Sequence, residues 1–135
     1  MKLKYTVLDG TFKRPYADIE VRYGNESVSY VVLVDSGADI NLFSAEVGRE
    51  LGVDIPSGEA LTVRGATGDE QTFFMHPVTI AIESAVIETT AAFADIPHLE
   101  SAGLAGQRGF FNHFHISFEF QASEFELIPR AAPRL

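Results

Sequence analysis

Apolar and polar residues alternate with a period of two along most of this chain. The pattern runs through KLKYTVL (2–8), YADIEVRY (16–23), SVSYVVLV (27–34), ALTVRG (60–65), TFFMHPVTIAI (72–82), VIETTAAFA (86–94), FHISFEF (114–120) and FELI (125–128). Successive side chains of a strand point to opposite faces, so this alternation fits strands with one face buried. Eight such runs, separated by turn residues, predict an all-β fold of the small barrel or sandwich kind. A chain of 135 residues is long enough to bury one core and too short for two. The expected organisation is a single domain over 1–128, followed by the tail PRAAPRL over 129–135.

Between the runs lie the signals that join them. Gly24 and Asn25 separate two alternating stretches and tolerate positive φ, which predicts a hairpin over 16–34. A short helix fits 44–51: Ser44 caps its free amides, Glu46 suits its positive end and Gly52 supplies a left-handed stop. A second short helix is expected over QRGFFNHF (107–114), with Gly109 working against it.

Composition removes several function classes. Ten basic and nineteen acidic residues give a net charge of −9, and no cluster of Lys or Arg could track a phosphate backbone, so no nucleic-acid partner is expected. There is no cysteine, hence no disulfide framework or thiolate metal site. The N-terminus MKLKYTVLDG turns polar before a signal-like apolar core develops, and no run approaches the ~18 apolar residues of a membrane span. A soluble, untargeted, cytoplasmic protein without a membrane partner is the expectation, and Met1 fits a domain made alone. The sequon at Asn25 to Ser27 is read as chance.

Within VVLVDSGADINLFS (31–44) a carboxylate follows a run of branched apolar residues. Val31 to Val34 should lie inside, which puts Asp35 at the end of a central strand, with Ser36 and Gly37 in a tight turn after it. Glycine there lets a ligand or a second backbone approach, and the hydroxyl can hold a neighbouring polar group. An isolated Asp-Ser-Gly is more often only an Asx-type turn that ends a strand.

The longer segment, Leu33-Val34-Asp35-Ser36-Gly37-Ala38-Asp39 followed by Ile40-Asn41-Leu42-Phe43-Ser44, resembles the active-site segment of the retropepsin-like aspartic proteases. Two further segments match in order. Val63-Arg64-Gly65-Ala66-Thr67-Gly68 looks like the tip of that family's substrate-covering flap, and Gly103-Leu104-Ala105-Gly106-Gln107-Arg108-Gly109-Phe110-Phe111 looks like its late apolar-apolar-Gly segment. The resemblance spans roughly 16–128. It implies an endopeptidase on a small closed β-barrel with one or two short helices, in which Asp35 is catalytic, with Ser36 and Gly37 shaping its surroundings. It further implies that Ala38, Asp39, Ile40, Gly65, Ala66, Thr67 and Gly68 meet substrate, and that Gly106 and Arg108 support the site, with Arg108 ion-paired to Asp39. Ala105 stands where a larger aliphatic is usual, and Gly-Gln-Arg-Gly replaces the retroviral Gly-Arg-(Asn or Asp), which leaves that ion pair open. Phe73 and Phe74, with Ala38 and Ile40, are candidate pocket walls.

Hydrolysis by water needs a base for the water proton and an acid for the carbonyl oxygen, so a metal-free aspartic protease uses two carboxyls in different protonation states. Two carboxyls about 3 Å apart share one proton and titrate apart. Asp-Ser-Gly occurs once here, and the other Asp-Gly pair, Asp9-Gly10, lacks the hydroxyl residue. The resemblance therefore implies a homodimer with the Asp35 pair on its two-fold axis, a polypeptide substrate and an acidic to mildly acidic optimum.

Other chemistries fit poorly. His113 and His115 could share a strand face, but no carboxylate or cysteine joins them, and neither a metal nor a cofactor is expected. The glycine-rich segment matches neither the dinucleotide nor the P-loop spacing. No G-x-S-x-G elbow supports a serine hydrolase. A non-catalytic peptide-binding or dimerisation module on the same fold stays open as the alternative.

Overall fold

The structure is a computed structural model and describes residues 1–65 and 67–131. The strands are β1 (Lys2–Lys4), β2 (Thr6–Asp9), β3 (Phe12–Arg14), β4 (Tyr16–Tyr23), β5 (Glu26–Val34) and β6 (Leu42–Ser44); then, after helix α1 (Ala45–Glu50), come β7 (Glu59–Arg64), β8 (Glu70–Ile82), β9 (Ala85–Ala94), β10 (Gly103–Ala105), β11 (Phe114–Glu119) and β12 (Glu124–Pro129). Single 3-10 turns lie at Ile55–Ser57, Pro97–Glu100 and Phe111–His113.

Six strands close into a barrel. Hydrogen-bonded neighbours run β4, β5, β10, β6, β9, β8, and β8 returns to β4 through Val21↔Ile80. Closure removes the open sheet edge that would otherwise template aggregation. Inward positions follow the alternation: Ala17, Ile19 and Val21 from β4, Tyr30, Val32 and Val34 from β5, and Val78, Ile80 and Ile82 from β8 are all buried. The all-β class expected from the alternation is observed, and of its two forms the fold is the closed barrel that the resemblance implies.

β7 pairs only with β8, from Glu59↔Met75 to Arg64↔Glu70, and lies outside the ring. Beside the barrel, β1, β12 and β11 form a three-stranded sheet whose Phe125 and Leu127, with Phe114, complete the core. β2 and β3 pair only with each other.

Local signals account for several joints. Gly24 takes φ +60° in the two-residue loop between Tyr23 and Glu26. The Ser44 side chain accepts the Glu46 amide at 3.2 Å, and Gly52 takes φ +77° just past α1.

Two expectations need correction. KLKYTVL is not one strand: it breaks at Tyr5, whose amide bonds Ser123 O (2.8 Å) and whose ring meets Phe120 and Phe125 edge-on. The helix expected over 107–114 reduces to the turn Phe111–His113. Gly109 sits at φ +112°, outside helical space, with its amide bonded to Asn112 Oδ1 (2.9 Å). The expected tail begins at Pro129, which still pairs with Phe114, while Arg130 donates its amide to His113 O; residues 132–135 lie outside the described residues.

Candidate active site

β5 ends at Val34, and the barrel holds both sides of that end. Val34 donates its amide to Pro15 O (3.0 Å) and Asp35 donates its own to Ala105 O (3.0 Å), so Asp35 leaves the wall at a fixed point. The chain then reverses. Ala38 N–H bonds Asp35 O (3.1 Å), and Gly37 N–H bonds Asp35 Oδ1 (2.8 Å). A β-carbon on residue 37 would stand 3.1 Å from that same oxygen, tighter than most real contacts, which gives the glycine a steric reason. Asp35 is half-buried, whereas Ser36 and Gly37 are exposed. One oxygen of the carboxylate is thus held by the main chain at the protein surface.

The glycine-rich segment braces this turn from below. Gln107 N–H bonds Ala38 O (2.8 Å), Arg108 N–H bonds Asp39 O (2.9 Å), and Ile40 and Arg108 form a parallel bridge. So close an approach leaves no room for a side chain at Gly106, where a β-carbon would fall 2.3 Å from Ile40 O and 2.7 Å from Ala38 O. The resemblance placed Gly106 and Arg108 as supports, and both lie against the turn. No Arg108–Asp39 ion pair occurs among the described residues; both side chains are exposed and the two residues meet through their main chains. That expectation is corrected for the single chain.

Two residues of this network were not singled out from the sequence. Asn41 is fully buried; its Oδ1 accepts Gly106 N–H (3.1 Å) and its Nδ2 donates to Thr90 O (3.1 Å). These partners, one donor and one acceptor, fix the orientation of the amide. Gly109 completes the fit, since a β-carbon there would reach 2.5 Å from Asn41 Nδ2, and Gly109 O accepts Thr89 Oγ1 (2.7 Å). The available signal was a lone amide inside Ile40-Asn41-Leu42-Phe43, where a buried polar side chain requires partners. The second is Gln107, whose Nε2 donates to Ser36 O at 2.6 Å.

Of the residues expected at the flap tip, Gly65, Thr67 and Gly68 lie between β7 and β8. Gly65 N–H bonds Asp69 O (2.8 Å), Gly68 N–H bonds Gly65 O (3.0 Å) with Gly68 at φ +87°, and Arg64 pairs with Glu70 (2.8 Å). Thr67 Oγ1 donates to Asp69 Oδ2 (3.3 Å), and Ala66 lies outside the described residues. Six residues of β7 at about 3.3 Å each give an arm of about 20 Å. No hydrogen bond or ion pair joins this tip to the Asp35 turn among the described residues. Of the candidate pocket walls, Ala38, Phe73 and Phe74 are half-buried and Ile40 is buried. His113 lies in the 3-10 turn and His115 on β11, so the two do not share a strand; burial lowers the pKa of His113.

Under the site, Tyr30 ties β5 to its surroundings. Its hydroxyl donates to Leu99 O and accepts Ser44 N–H (3.0 Å). Burial pushes its pKa up to about 12, against the opposing effect of the Ser44 amide.

A closed six-stranded barrel that presents an Asp-Ser-Gly turn at the end of a central strand, with a hairpin that extends outside the ring, defines the single-barrel acid-protease class. Residues 19–108 match the family model described as aspartyl protease, and the chain belongs to that family in its retropepsin-like form. The EIAV protease, solved as a complex with the inhibitor HBY-793, is similar in structure: the TM-score is 0.53 at 25% identity, covering 74% of this chain and 88% of that one. No curated protein matches the chain. No helix among the described residues is long and apolar enough to cross a membrane.

Proposed function

We propose that this protein is an aspartic endopeptidase that works as a homodimer, with the Asp35 carboxyls of two copies forming one dyad. The observation that carries the reading is the Asp35 turn, braced by main-chain bonds and open to solvent in the single chain. A single carboxyl cannot serve as both base and acid at the same moment, and Asp-Ser-Gly occurs once in the sequence. A two-fold axis at the turn supplies the second group.

In this mechanism the ionised member of the dyad takes a proton from the attacking water while the protonated member donates to the carbonyl oxygen. The Gly37 amide holds one Asp35 oxygen and leaves the other for water. The flap hairpins lie over an extended polypeptide and add main-chain hydrogen bonds, with Thr67 and the flanking glycines at the tip. Ala38, Asp39 and Ile40 border the substrate on the opposite side. Exposed Val7, Leu8 and Phe12 on the β2–β3 ribbon, which joins β4 through Pro15 next to Val34, fit a surface completed by another copy.

The test is cleavage of an unfolded protein across pH 3 to 8, with and without HBY-793, using Asp35→Asn as control. Cleavage that is inhibited and absent in Asp35→Asn is the expected result. A dimeric wild type that binds peptide and never cleaves at any pH or concentration would instead make this a binding module.

A further inference from the structure

The Ser36–Gly37 peptide is held at both ends, and the second hold comes from a side chain with no other evident task. Its N–H points to Asp35 Oδ1 (2.8 Å) and its C=O accepts Gln107 Nε2 (2.6 Å). In a trans peptide these two groups point in opposite directions. One plane therefore links an amide side chain on the glycine-rich segment to the carboxylate at the end of β5. We propose that Gln107 is a positioning residue that fixes the Ser36–Gly37 peptide plane, and through it the orientation of the Asp35 carboxylate. The catalytic consequence rests on the proteolytic reading of Asp35.

Three observations carry the inference. Gln107 is itself anchored: its main-chain N–H bonds Ala38 O (2.8 Å) and its neighbour Arg108 bridges Ile40, so its side chain starts from a fixed point beside the turn. The plane it holds needs holding, because Ser36 and Gly37 are exposed, and glycine turns about its own backbone more freely than any other residue. An exposed glutamine loses rotamer freedom when it is pinned in place, and among the described residues this side chain makes no other hydrogen bond that would explain the loss. The bond also acts electrically: donation to Ser36 O polarises the peptide and strengthens the Gly37 N–H as a donor to the carboxylate, as hydrogen bonds in series do. Rotation of the plane would release Oδ1 and let the carboxylate turn, so that its other oxygen no longer faces the water at a fixed angle.

The test uses two variants of the full chain. Gln107→Met keeps length and loses the donor; Gln107→Asn keeps the donor and loses the reach. Both replace an exposed side chain, so melting temperatures should stay near that of the wild type. Each should lower kcat about tenfold with KM unchanged, the signature of an interaction that matters to the reacting group and not to binding. Each should also speed hydrogen exchange of the Gly37 amide by about tenfold, read by NMR, with the Ala38 amide unaffected. Unchanged Gly37 exchange in Gln107→Met, or an unchanged kcat in a wild type that cleaves, overturns the inference and leaves the protease reading intact. A collapsed melting temperature in both variants also overturns it, since Gln107 would then be a structural brace. A wild type that cleaves nothing sinks the protease reading, and the catalytic role of Gln107 with it.

Discussion

Truncating Asn41 to alanine should loosen the brace under the active-site turn. The side chain is fully buried and satisfies two main-chain groups, Gly106 N–H and Thr90 O, each at 3.1 Å. Loss of the first leaves a buried donor without a partner, which costs about 1–3 kcal/mol; loss of the second, at a partly solvated position, costs about 0.5–1.5 kcal/mol. The sum centres near ~3 kcal/mol, a large part of the ~5–15 kcal/mol by which a domain is stable. With a urea slope of about 2 kcal/mol per M, the unfolding midpoint should fall by about 1.5 M. The assay is urea denaturation followed by circular dichroism and by fluorescence, at one fixed protein concentration because association would add to apparent stability. The exposed substitution Gln71→Ala serves as the control and should move the midpoint little. A midpoint for Asn41→Ala within about 0.3 M of the wild type would refute the reasoning, because water or solvent access would then be doing the work assigned to the amide.

Two further outcomes follow from the same geometry. Gly106→Ala drives a β-carbon into two main-chain oxygens and should cost about 3 kcal/mol or lose soluble protein altogether, whereas Gly52→Ala, in open space at φ +77°, should cost about 1 kcal/mol; equal urea midpoints would contradict this. Tyr30 has its pKa raised to about 12 by burial, so the folded state holds the phenolic proton more tightly than the unfolded chain does. Its contribution to stability is complete below pH 10 and is lost as pH rises towards 12; Tyr30→Phe should flatten that part of the stability–pH curve, measured by thermal melts at each pH.

What the sequence disclosed was largely what is local. The β4–β5 hairpin with its Gly24 turn, the Ser44 cap and Gly52 stop of α1, and the glycine tip between β7 and β8 are each specified by a few adjacent residues. The Asp-Ser-Gly turn belongs with them. What stayed hidden depends on pairing between distant segments. β6 and β10 are three residues each and too short to show alternation; they exist because Phe43 pairs with Phe93 and Ala105 with Val34. Gly109 looked like a mild weakness in a helix, yet its φ of +112° and the Asn41 amide beside it end any helix there. Arg108 was matched to an ion pair by its position in a motif, but the parallel bridge to Ile40 holds Arg108 by its main chain and leaves the guanidinium exposed. The partners of Asn41 and Gln107 lie up to 71 residues away, a distance that no spacing rule spans.

The central claim is that each of two copies gives one carboxyl to a shared centre, and subunit mixing tests it most directly. Wild type is equilibrated with a tenfold excess of Asp35→Asn, and cleavage is measured at constant wild-type concentration. With random pairing only about one wild-type subunit in eleven keeps a wild-type partner, so activity should fall to about 9% of the unmixed value. Activity that ignores the added Asp35→Asn protein, under conditions where exchange of labelled subunits is complete, would contradict the account.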